Sequence, residues 1–559
     1  MRWRFRFILI VFLFGFLLTS LRLFYWQIVK SADLAKIGES QYGRIIKNLS
    51  ERGEIRASDG FPIAGNTITY RVISNPKETR DKEKVINALS PILEIDEASL
   101  SAKLSLNLFW VSLKTGVNDS TKKKIESLNI SGVDFEKEYT RFYPESSLAA
   151  SLLGFVGKDE KGADIGYFGL EGYYDKLLRG KEQSAVQIYD AIGRPILAEI
   201  NKREEDEGGS SLTLHMNRSI QFIAERELKN GIERYGAEGG MVGIMDPKTG
   251  GLLAMASFPT FDPAKYYEYP PENFKNSFIS SLYEPGSTFK PLVMSAALNE
   301  KKVTSATMCA ICVGPIKIGG YSLKTWNDKY YPRSTMTEVI QHSDNTGMVF
   351  VGQRLGLDNF LKYLKKFGIG SLTGIDLQGE VAGDLKTKAQ WYPVDLATAS
   401  FGQGISITPI ELLTAFSAIA NNGVMMEPHV VAQVKSTNGK VVNITPKILG
   451  KPITSSTAKI MTEMLVNAVD KGEAKWTAIK EYRIAGKTGT ASIPVAGHYD
   501  PEKTIASFIG FAPADDPKFV ILVIFDRPKA RIYGSETAAP VFFSIARDLL
   551  SLYKIPPTR

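Results

Sequence analysis

Apolar residues form one long run near the amino terminus. Phe7 to Leu21 are apolar apart from glycine and hydroxyl residues, and Leu23 to Val29 continue the run after one arginine. As a helix, the first segment would rise roughly 22 Å at 1.5 Å per residue, slightly less than the bilayer core. A cleaved signal peptide and a buried core helix fit less well, because no small-x-small cleavage site follows and Arg2, Arg4 and Arg6 precede the run. The pattern predicts an uncleaved membrane anchor with its amino end in the cytoplasm and the remaining chain outside the cytoplasm.

Between the anchor and residue 210 the pattern changes to shorter stretches. Positions 81–130 repeat charged and apolar residues at helical spacing, which predicts a small α+β lobe with solvated outer faces. The polar run Asn201–Ser210 is typical of a linker. We therefore predict four parts: a short cytoplasmic tail (1–6), a transmembrane anchor helix (7–29), an elongated α+β domain that we call the pedestal (30–205), and a carboxy-terminal domain (206–559).

The second half of the chain has clearer strand and helix patterns. A strand is predicted at Ser211–Leu214, an amphipathic helix at Arg218–Glu233, and a hairpin with strands at Met241–Asp246 and Leu252–Ser257. Further strands are predicted at Ile484–Ser492, Thr504–Phe511 and Phe519–Phe525. Between Ser287 and Pro428 the period is mostly helical. Strands on both sides of a helical middle predict an α+β domain with a central antiparallel sheet, helices on its faces and an all-helical lobe.

Composition and charge exclude some functions. A chain of 559 residues exceeds one ordinary core, and 44% hydrophobic with 23% charged residues is typical of a globular protein. The net charge of +8 is spread along the chain, without a basic cluster interleaved with aromatic residues. We therefore expect no nucleic-acid partner.

Cysteine and histidine residues offer little for metal chemistry. Cys309 and Cys312 are the two cysteines, and in an oxidising compartment they could form a short-loop disulfide, a redox site or an unpaired couple; we predict the disulfide. The histidines show no ligand spacing: they are His215, His342, His429 and His498. We expect no metal and no cofactor.

The chemistry is predicted in the stretch Glu284–Leu292, where a Pro-Gly turn leads into a helix start. Ser287 and Lys290 then lie one helical turn apart on one face, so the amine can act as base for the hydroxyl. Burial and a second cation nearby would lower the pKa of the lysine toward a working value. Unpaired N–H groups at a helix start would stabilise an oxyanion beside Ser287. Alone, Ser-x-x-Lys is a weak motif, since an N-cap serine with a solvated lysine gives the same pattern.

Two further motifs follow the first in a fixed order, and together with them Ser-x-x-Lys indicates a specific chemistry. Ser343-Asp344-Asn345 and Lys487-Thr488-Gly489-Thr490 complete the set that is found in penicillin-binding proteins and serine β-lactamases. Asp246–Gly250 and Ala399–Ile405 accompany them, and the Arg52-Gly53 segment lies after one membrane anchor. The chain resembles class B penicillin-binding proteins, with a transpeptidase domain of the penicillin-binding and serine β-lactamase-like fold.

The resemblance implies a D,D-transpeptidase that cross-links peptidoglycan stem peptides ending in D-Ala-D-Ala and is acylated by β-lactams. It assigns Ser287 as nucleophile, Lys290 as base and Ser343 as proton relay. Asn345 would bind the peptide backbone, and we expect a structural role for Asp344.

The third motif is implied to bind substrate. Lys487, Thr488 and Thr490 would hold the terminal carboxylate, on an edge strand to which the substrate peptide adds as a further strand. Gly489 would leave room for this approach. The N–H groups of Ser287 and Thr490 would form the oxyanion hole.

Other functions of related proteins fit the sequence less well. A class A β-lactamase needs Glu-x-x-Leu-Asn, whereas Glu463-Met-Leu-Val-Asn467 has the wrong spacing; a β-lactam sensor needs several spans. A D,D-carboxypeptidase is disfavoured by the pedestal and by the absence of a carboxy-terminal amphipathic helix in the pattern. A catalytically silent scaffold is disfavoured because all three motifs are intact.

Two further features bear on the branch and the partner. Asn345, Thr346–Met348 and Gly374–Leu377 favour the septal and sporulation branch over the elongation branch. The resemblance also implies a membrane-embedded glycan polymerase of the shape, elongation, division and sporulation family as partner. Contact with it is expected through the anchor helix and the pedestal.

Overall fold

The structure is a computed structural model that describes residues 2–34, 43–48, 51–160, 162–180, 183–188, 208–495 and 498–559. It contains two compact units, each made of several chain segments. The smaller unit has residues 1–51, 67–140 and 180–208, and the larger has residues 52–66, 141–179 and 209–559. The predicted boundary at 205/206 and most of the predicted linker Asn201–Ser210 lie outside the described residues.

The smaller unit begins with the predicted anchor. An α-helix runs from Arg2 to Phe24 and continues as a π-helical turn, Tyr25–Val29. The whole segment Arg2–Val29 is long and apolar enough to cross a membrane, and none of its apolar side chains is buried. The apolar run therefore forms one helix, and this helix starts at Arg2, before the first residue of the predicted span.

The rest of the smaller unit is α+β. Its core contains Leu89 and Leu100 from two helices and Leu113 from a strand, all at most 1% exposed. Its helices are Lys82–Leu93, Glu97–Leu104 and Asp119–Glu126. Its strands are Gly43–Asn48, the 67–74 part of Pro62–Ser74, Val111–Val117, the 133–140 part of Val133–Phe142, and Gln183–Ile188.

A five-stranded antiparallel sheet forms the centre of the larger unit. Its strands in spatial order are Leu252–Phe258, Gly239–Met245, Phe519–Asp526, His498–Ala512 and Ala485–Val495. The strand Ala485–Val495, which carries the third motif, lies at one edge, and we call it the edge strand. The predicted central sheet and its hairpin are confirmed.

Both faces of this sheet are buried at Phe519–Asp526, which explains why this central strand is apolar at every position before Asp526. In Phe519–Asp526 alternate side chains enter different cores: Leu522 and Ile524 join one cluster, whereas Ile521 and Val523 join the other. The second cluster is covered by the helices Arg218–Tyr235 and Ala538–Leu552, and the first by the helical part of the unit.

The remaining elements of the larger unit are mostly helical, as predicted. The longer helices are Lys290–Asn299, Asn345–Leu355, Leu357–Lys366, Pro409–Ala420 and Ser455–Lys471. Shorter α-helices are Ala150–Leu153, Gly169–Tyr173, Asp175–Arg179, Ser277–Ser280, Met336–Gln341 and Pro393–Ala399. The 3-10 helices are Pro263–Glu268, Pro271–Phe274, Gly286–Phe289 and Lys388–Gln390. Short strands are Ile55–Arg56, Phe155–Lys158, Asp164–Tyr167, Ile316–Ile318, Tyr321–Leu323, Met425–Met426, Val441–Asn443 and Ile448–Gly450.

Two features of the larger unit differ from the prediction. Ser211–Leu214 is a strand outside the central sheet: it pairs with Val431–Lys435 and, in parallel, with Ile55–Arg56. The chain also has a late amphipathic helix, Ala538–Leu552, so the expectation of none was wrong. Its apolar face, including Phe542 and Leu549, is buried against the sheet, so this face is part of the core.

Candidate active site

Ser287 lies in a single 3-10 turn, Gly286–Phe289, that leads into the α-helix Lys290–Asn299. We call these the nucleophile turn and the nucleophile helix. Pro291 occupies the first turn of the helix, where its missing N–H costs nothing. Every residue of the helix from Lys290 to Leu298 is buried, while Ser287 remains partly exposed. Ser287 is therefore partly accessible to solvent, and Lys290 is not.

Lys290 joins the first two motifs. Its Nζ donates to the carbonyl of Ser343 over 2.6 Å, to Oδ1 of Asn345 over 2.8 Å, and to Oγ of Ser343 over 3.3 Å. The side chain is 0% exposed. Among the hydrogen bonds of the described residues, none joins Lys290 to the Ser287 hydroxyl, so the predicted direct contact between them is not present. Catalytic hydrogen bonds often tighten only when substrate binds.

Ser343 has the left-handed backbone conformation, with φ +55°. Such a conformation is uncommon outside glycine and is often found at functional sites. Here it belongs to a residue whose carbonyl and hydroxyl both face Lys290. Ser343 is 3% exposed, so its polar groups interact within the protein.

Asp344 caps the helix Asn345–Leu355. Its Oδ1 accepts from N–H of Thr346 over 2.8 Å and of Gly347 over 3.1 Å, and from the Thr346 hydroxyl over 2.7 Å. This is an N-cap, which supplies acceptors for otherwise unpaired donors. The contacts agree with the structural role expected for Asp344 and also fix the orientation of its neighbours in the motif.

The edge strand contributes the third motif. Lys487, 3% exposed, donates from Nζ to Oγ of Ser343 over 2.9 Å and to the carbonyl and hydroxyl of Thr488, each over 3.1 Å. The Ser343 hydroxyl thus lies between the two lysine amines. The hydroxyl of Thr488 donates in turn to Oε2 of Glu473 over 2.9 Å. All three sequence motifs therefore meet at Ser343.

Gly489 and Thr490 adjoin the nucleophile turn. A Cβ on Gly489 would lie 2.8 Å from the Thr288 methyl and also against the Ser507 hydroxyl. Glycine is therefore required by the close packing of strand and turn, in addition to any room it leaves for substrate. The Thr490 hydroxyl accepts from the N–H of Gly534 over 3.0 Å, and it is partly exposed like Ser287.

Burial and charge alter the pKa of both lysines. Burial, and next the positive charge of Lys487, hold the pKa of Lys290 well below its usual value; Asp344 and Glu473 oppose this shift. Burial lowers the pKa of Lys487 to about 8, against the raising effect of Glu473. These two causes of a lowered Lys290 pKa, burial and a second cation nearby, are the ones predicted from the sequence. A neutral amine beside a second, charged amine is the arrangement that a lysine base requires.

Two observations concern residues named as alternatives. Glu463 forms an ion pair with Arg483 over 2.6 Å and its side chain is 64% exposed, while Asn467 donates to Gln341 over 2.8 Å. The imperfect β-lactamase-like string is thus engaged elsewhere. The disulfide predicted between Cys309 and Cys312 is confirmed, and both residues are at most 1% exposed.

Sequence reasoning missed Glu473 and Gly534. Glu473 follows the helix Ser455–Lys471 within a run of alternating charged residues, and Gly534 lies in a loop near the carboxyl end. Neither position has a motif spacing to Lys487 or Thr490. They could be found only from the contacts that the fold creates.

Comparison with known proteins gives the same assignment. Residues 240–549 match the penicillin-binding protein transpeptidase domain, and residues 47–214 match the penicillin-binding protein dimerisation domain. The chain belongs to the penicillin-binding protein transpeptidase family, with a dimerisation domain before the transpeptidase domain.

Individual relatives cover nearly the whole chain. It is 35% identical to stage V sporulation protein D of Bacillus subtilis, over 99% of this chain and 86% of that protein. It is 29% identical to peptidoglycan D,D-transpeptidase FtsI of Escherichia coli, over 96% of this chain and 89% of that protein. The crystal structure of penicillin-binding protein 3 of Mycobacterium tuberculosis with ampicillin aligns with a TM-score of 0.71 at 25% identity, over 92% of this chain and 97% of that one.

Proposed function

We propose that this chain is a membrane-anchored peptidoglycan D,D-transpeptidase that forms a serine acyl-enzyme on D-Ala-D-Ala and is acylated by β-lactams. The observation that carries the proposal is the convergence at Ser343, whose hydroxyl receives hydrogen bonds from both Lys290 and Lys487. The relatives named transpeptidases support the reaction, and the sporulation relative supports the septal and sporulation branch.

In the proposed acylation, Ser287 Oγ attacks the carbonyl carbon of the penultimate D-Ala, and its proton passes to the neutral amine of Lys290. The peptide bond then breaks, and the terminal D-Ala leaves as an amine after receiving a proton by way of Ser343. An acceptor amine of a second stem peptide attacks the ester, loses its proton to the same groups and releases Ser287. The lysine base and the covalent intermediate divide one difficult step into two easier ones.

The hydrogen bonds of Lys290 support this proton path. A neutral amine has two N–H groups and one lone pair. The Ser343 carbonyl and Asn345 Oδ1 are acceptors for the two N–H groups, at 2.6 and 2.8 Å. The lone pair is then left for the proton of Ser287, after which the third N–H of Lys290 can donate to the Ser343 hydroxyl, 3.3 Å away. In this state a proton can move between Lys290 and the leaving amine through one hydroxyl.

Substrate binding is assigned to Asn345, Lys487, Thr488, Gly489 and Thr490. The edge position of the strand supports this assignment, because an unpaired strand edge offers N–H and C=O groups to an extended peptide. The packing of Gly286 against the edge strand supports an oxyanion hole from the N–H groups of Ser287 and Thr490: a Cβ on Gly286 would lie 3.2 Å from the Thr490 carbonyl oxygen.

Intact mass of the full-length chain in detergent, before and after benzylpenicillin, tests the function. One stable penicilloyl adduct is expected on Ser287, and none in Ser287→Ala. Ser295→Ala is the matched control, because Ser295 is a buried serine on the nucleophile helix whose hydroxyl has no hydrogen-bond partner among the described residues. An adduct that persists in Ser287→Ala, or one that is hydrolysed within seconds in the parent, would contradict the assignment. Release of D-Ala without cross-linking of an added acceptor would indicate a D,D-carboxypeptidase instead.

The proposal includes the domain limits and the location given by the sequence. These parts are the tail 1–6, the anchor 7–29, the pedestal 30–205 and the transpeptidase domain 206–559. The order of the last two is supported by the dimerisation-domain match at 47–214 and the transpeptidase-domain match at 240–549. The basic residues before the apolar run support a cytoplasmic amino terminus and an extracytoplasmic catalytic domain.

A glycan polymerase of the shape, elongation, division and sporulation family is the proposed partner. The anchor helix supports this, because Gly15, Thr19 and Ser20 are small residues that permit close approach of another helix, and the Thr19 hydroxyl donates to the Gly15 carbonyl within its own helix. Replacing 7–29 by an unrelated apolar helix of equal length should leave penicillin acylation intact but lower glycan synthesis by the co-expressed polymerase. Full synthesis by the swapped protein would show that the anchor is a simple tether.

A further inference from the structure

Glu473 extends the hydrogen-bonded chain of the site by one residue that no motif contains. Its Oε2 accepts the hydroxyl proton of Thr488 over 2.9 Å, and the same hydroxyl accepts from Lys487 Nζ over 3.1 Å. A threonine hydroxyl has one proton to donate. In this arrangement that proton goes to Glu473 and not to a substrate carboxylate, so Thr488 connects an ammonium to a carboxylate of the protein itself.

The second carboxyl oxygen of Glu473, Oε1, does not accept a hydrogen bond in this way. Oε1 is buried and has no hydrogen-bond partner among the described residues. Burying a negative charge is costly unless an opposite charge lies nearby. The nearest cation along the chain of hydrogen bonds is Lys487, itself 3% exposed, so the buried ammonium and the half-buried carboxylate stabilise each other.

We propose that Glu473 is a positioning residue for the transpeptidase reaction: it fixes Thr488 on the edge strand and supplies the negative charge that faces Lys487 through the Thr488 hydroxyl. This inference rests on the proposed function. It assigns the negative charge of the site to Glu473, a residue outside the three motifs. It also makes Lys487 the positive charge that binds the substrate carboxylate.

The charges that face the two lysines define the expected effect. Lys487 lies opposite Glu473, and Lys290 faces Lys487, Asp344 and Glu473. Glu473 raises the pKa of both lysines, and with it the pKa of Lys487 is about 8. If acylation needs Lys290 neutral and Lys487 charged, its rate has a bell-shaped dependence on pH. The two limbs of this bell report the titration of the two lysines as a coupled pair. Loss of the negative charge should move both limbs to lower pH by roughly one to three units.

The experiment measures the acylation rate of the full-length chain in detergent with benzylpenicillin between about pH 5 and 10. Glu473→Gln removes the charge but keeps an oxygen that can accept from Thr488. We expect both limbs to shift down by about one unit or more, so that the rate at pH 8 falls by roughly fivefold or more while the rate near pH 6 is kept or increased. Glu463→Gln is the matched control, since it removes one carboxylate from the preceding helix where Glu463 pairs with Arg483; its profile should coincide with that of the parent.

Glu473→Asp distinguishes an effect of the lost charge from an effect of a changed side-chain shape. It keeps the carboxylate, so its limbs should stay at the parent positions even if a shorter side chain lowers the maximum. A Glu473→Gln profile that is lower but unmoved, an equal shift in Glu463→Gln, or an equal shift in Glu473→Asp would each overturn the inference while leaving the proposed function intact. A parent chain that is not acylated at Ser287 at any pH would overturn the proposed function, and this inference with it.

Discussion

Gly489→Ala tests the contact between the edge strand and the nucleophile turn. The backbone of Gly489 is outside the left-handed region, so alanine brings no conformational strain of its own. The new Cβ would lie 2.8 Å from the Thr288 methyl, whereas ordinary contacts begin at about 3.4 Å. Ser507 can rotate its hydroxyl away, but Thr288 is 0% exposed and its hydroxyl is bound to the Pro285 carbonyl over 2.7 Å. The strand must therefore move away from the turn by roughly 0.6 Å.

This displacement should affect rate more than stability. Overpacking of this kind costs about 1–3 kcal/mol, which corresponds to a decrease in Tm of roughly 2–10 °C. A misplacement approaching 1 Å in a catalytic site costs up to about 100-fold in rate, so we expect acylation by benzylpenicillin to slow by roughly 10- to 100-fold. The assay is the second-order acylation rate constant, followed by intact mass, together with a thermal melt.

Two variants decide whether the reasoning is correct. Gly450→Ala is the control, because Gly450 is also in a strand and no atom lies within 4 Å of the position of its Cβ; it should leave the rate unchanged. Adding Thr288→Ser to Gly489→Ala removes the obstructing methyl and keeps the hydroxyl, so it should restore most of the rate. Unchanged acylation in Gly489→Ala, or no recovery in the double variant, would refute the steric argument.

Further predictions concern the lysines, the helix cap and the disulfide. Lys290→Ala should abolish penicillin acylation, because the serine loses its base; retained labelling would exclude Lys290 as that base. Lys487→Ala should leave slow acylation, since it removes carboxylate recognition and a charge that lowers the pKa of Lys290, and unchanged labelling would mean that the third motif is misplaced. Asp344→Ala should lower the free energy of unfolding by about 1–3 kcal/mol, measured by denaturant titration, because it removes a buried helix cap; an unchanged midpoint would argue against the cap. Titration of the unreduced, exported protein should find no free thiol at Cys309 or Cys312, and replacing both by alanine should leave acylation nearly unchanged.

The sequence alone determined the features that depend on order and local pattern. The apolar run at the amino terminus, the hairpin around residues 246–251 and the strand Phe519–Asp526 follow from hydrophobic periodicity and turn residues, which act over a few positions. The three motifs could be found because each keeps its reactive residues within one helical turn or one short strand segment. A structural role for Asp344 could be predicted from the sequence, but only its hydrogen bonds in the structure identify it as a helix cap.

Only the tertiary structure decided how these pieces meet. Nothing local to Ser211–Leu214 indicates which sheet it joins, because pairing partners come from distant parts of the chain. Likewise, the buried face of Ala538–Leu552 is defined by the sheet that it covers. Lys290 and Lys487 are 197 positions apart, and Glu473 has no sequence relation to either. The electrostatics of the site arise from burial and from distances between groups on separate elements, and these exist only once the chain has folded.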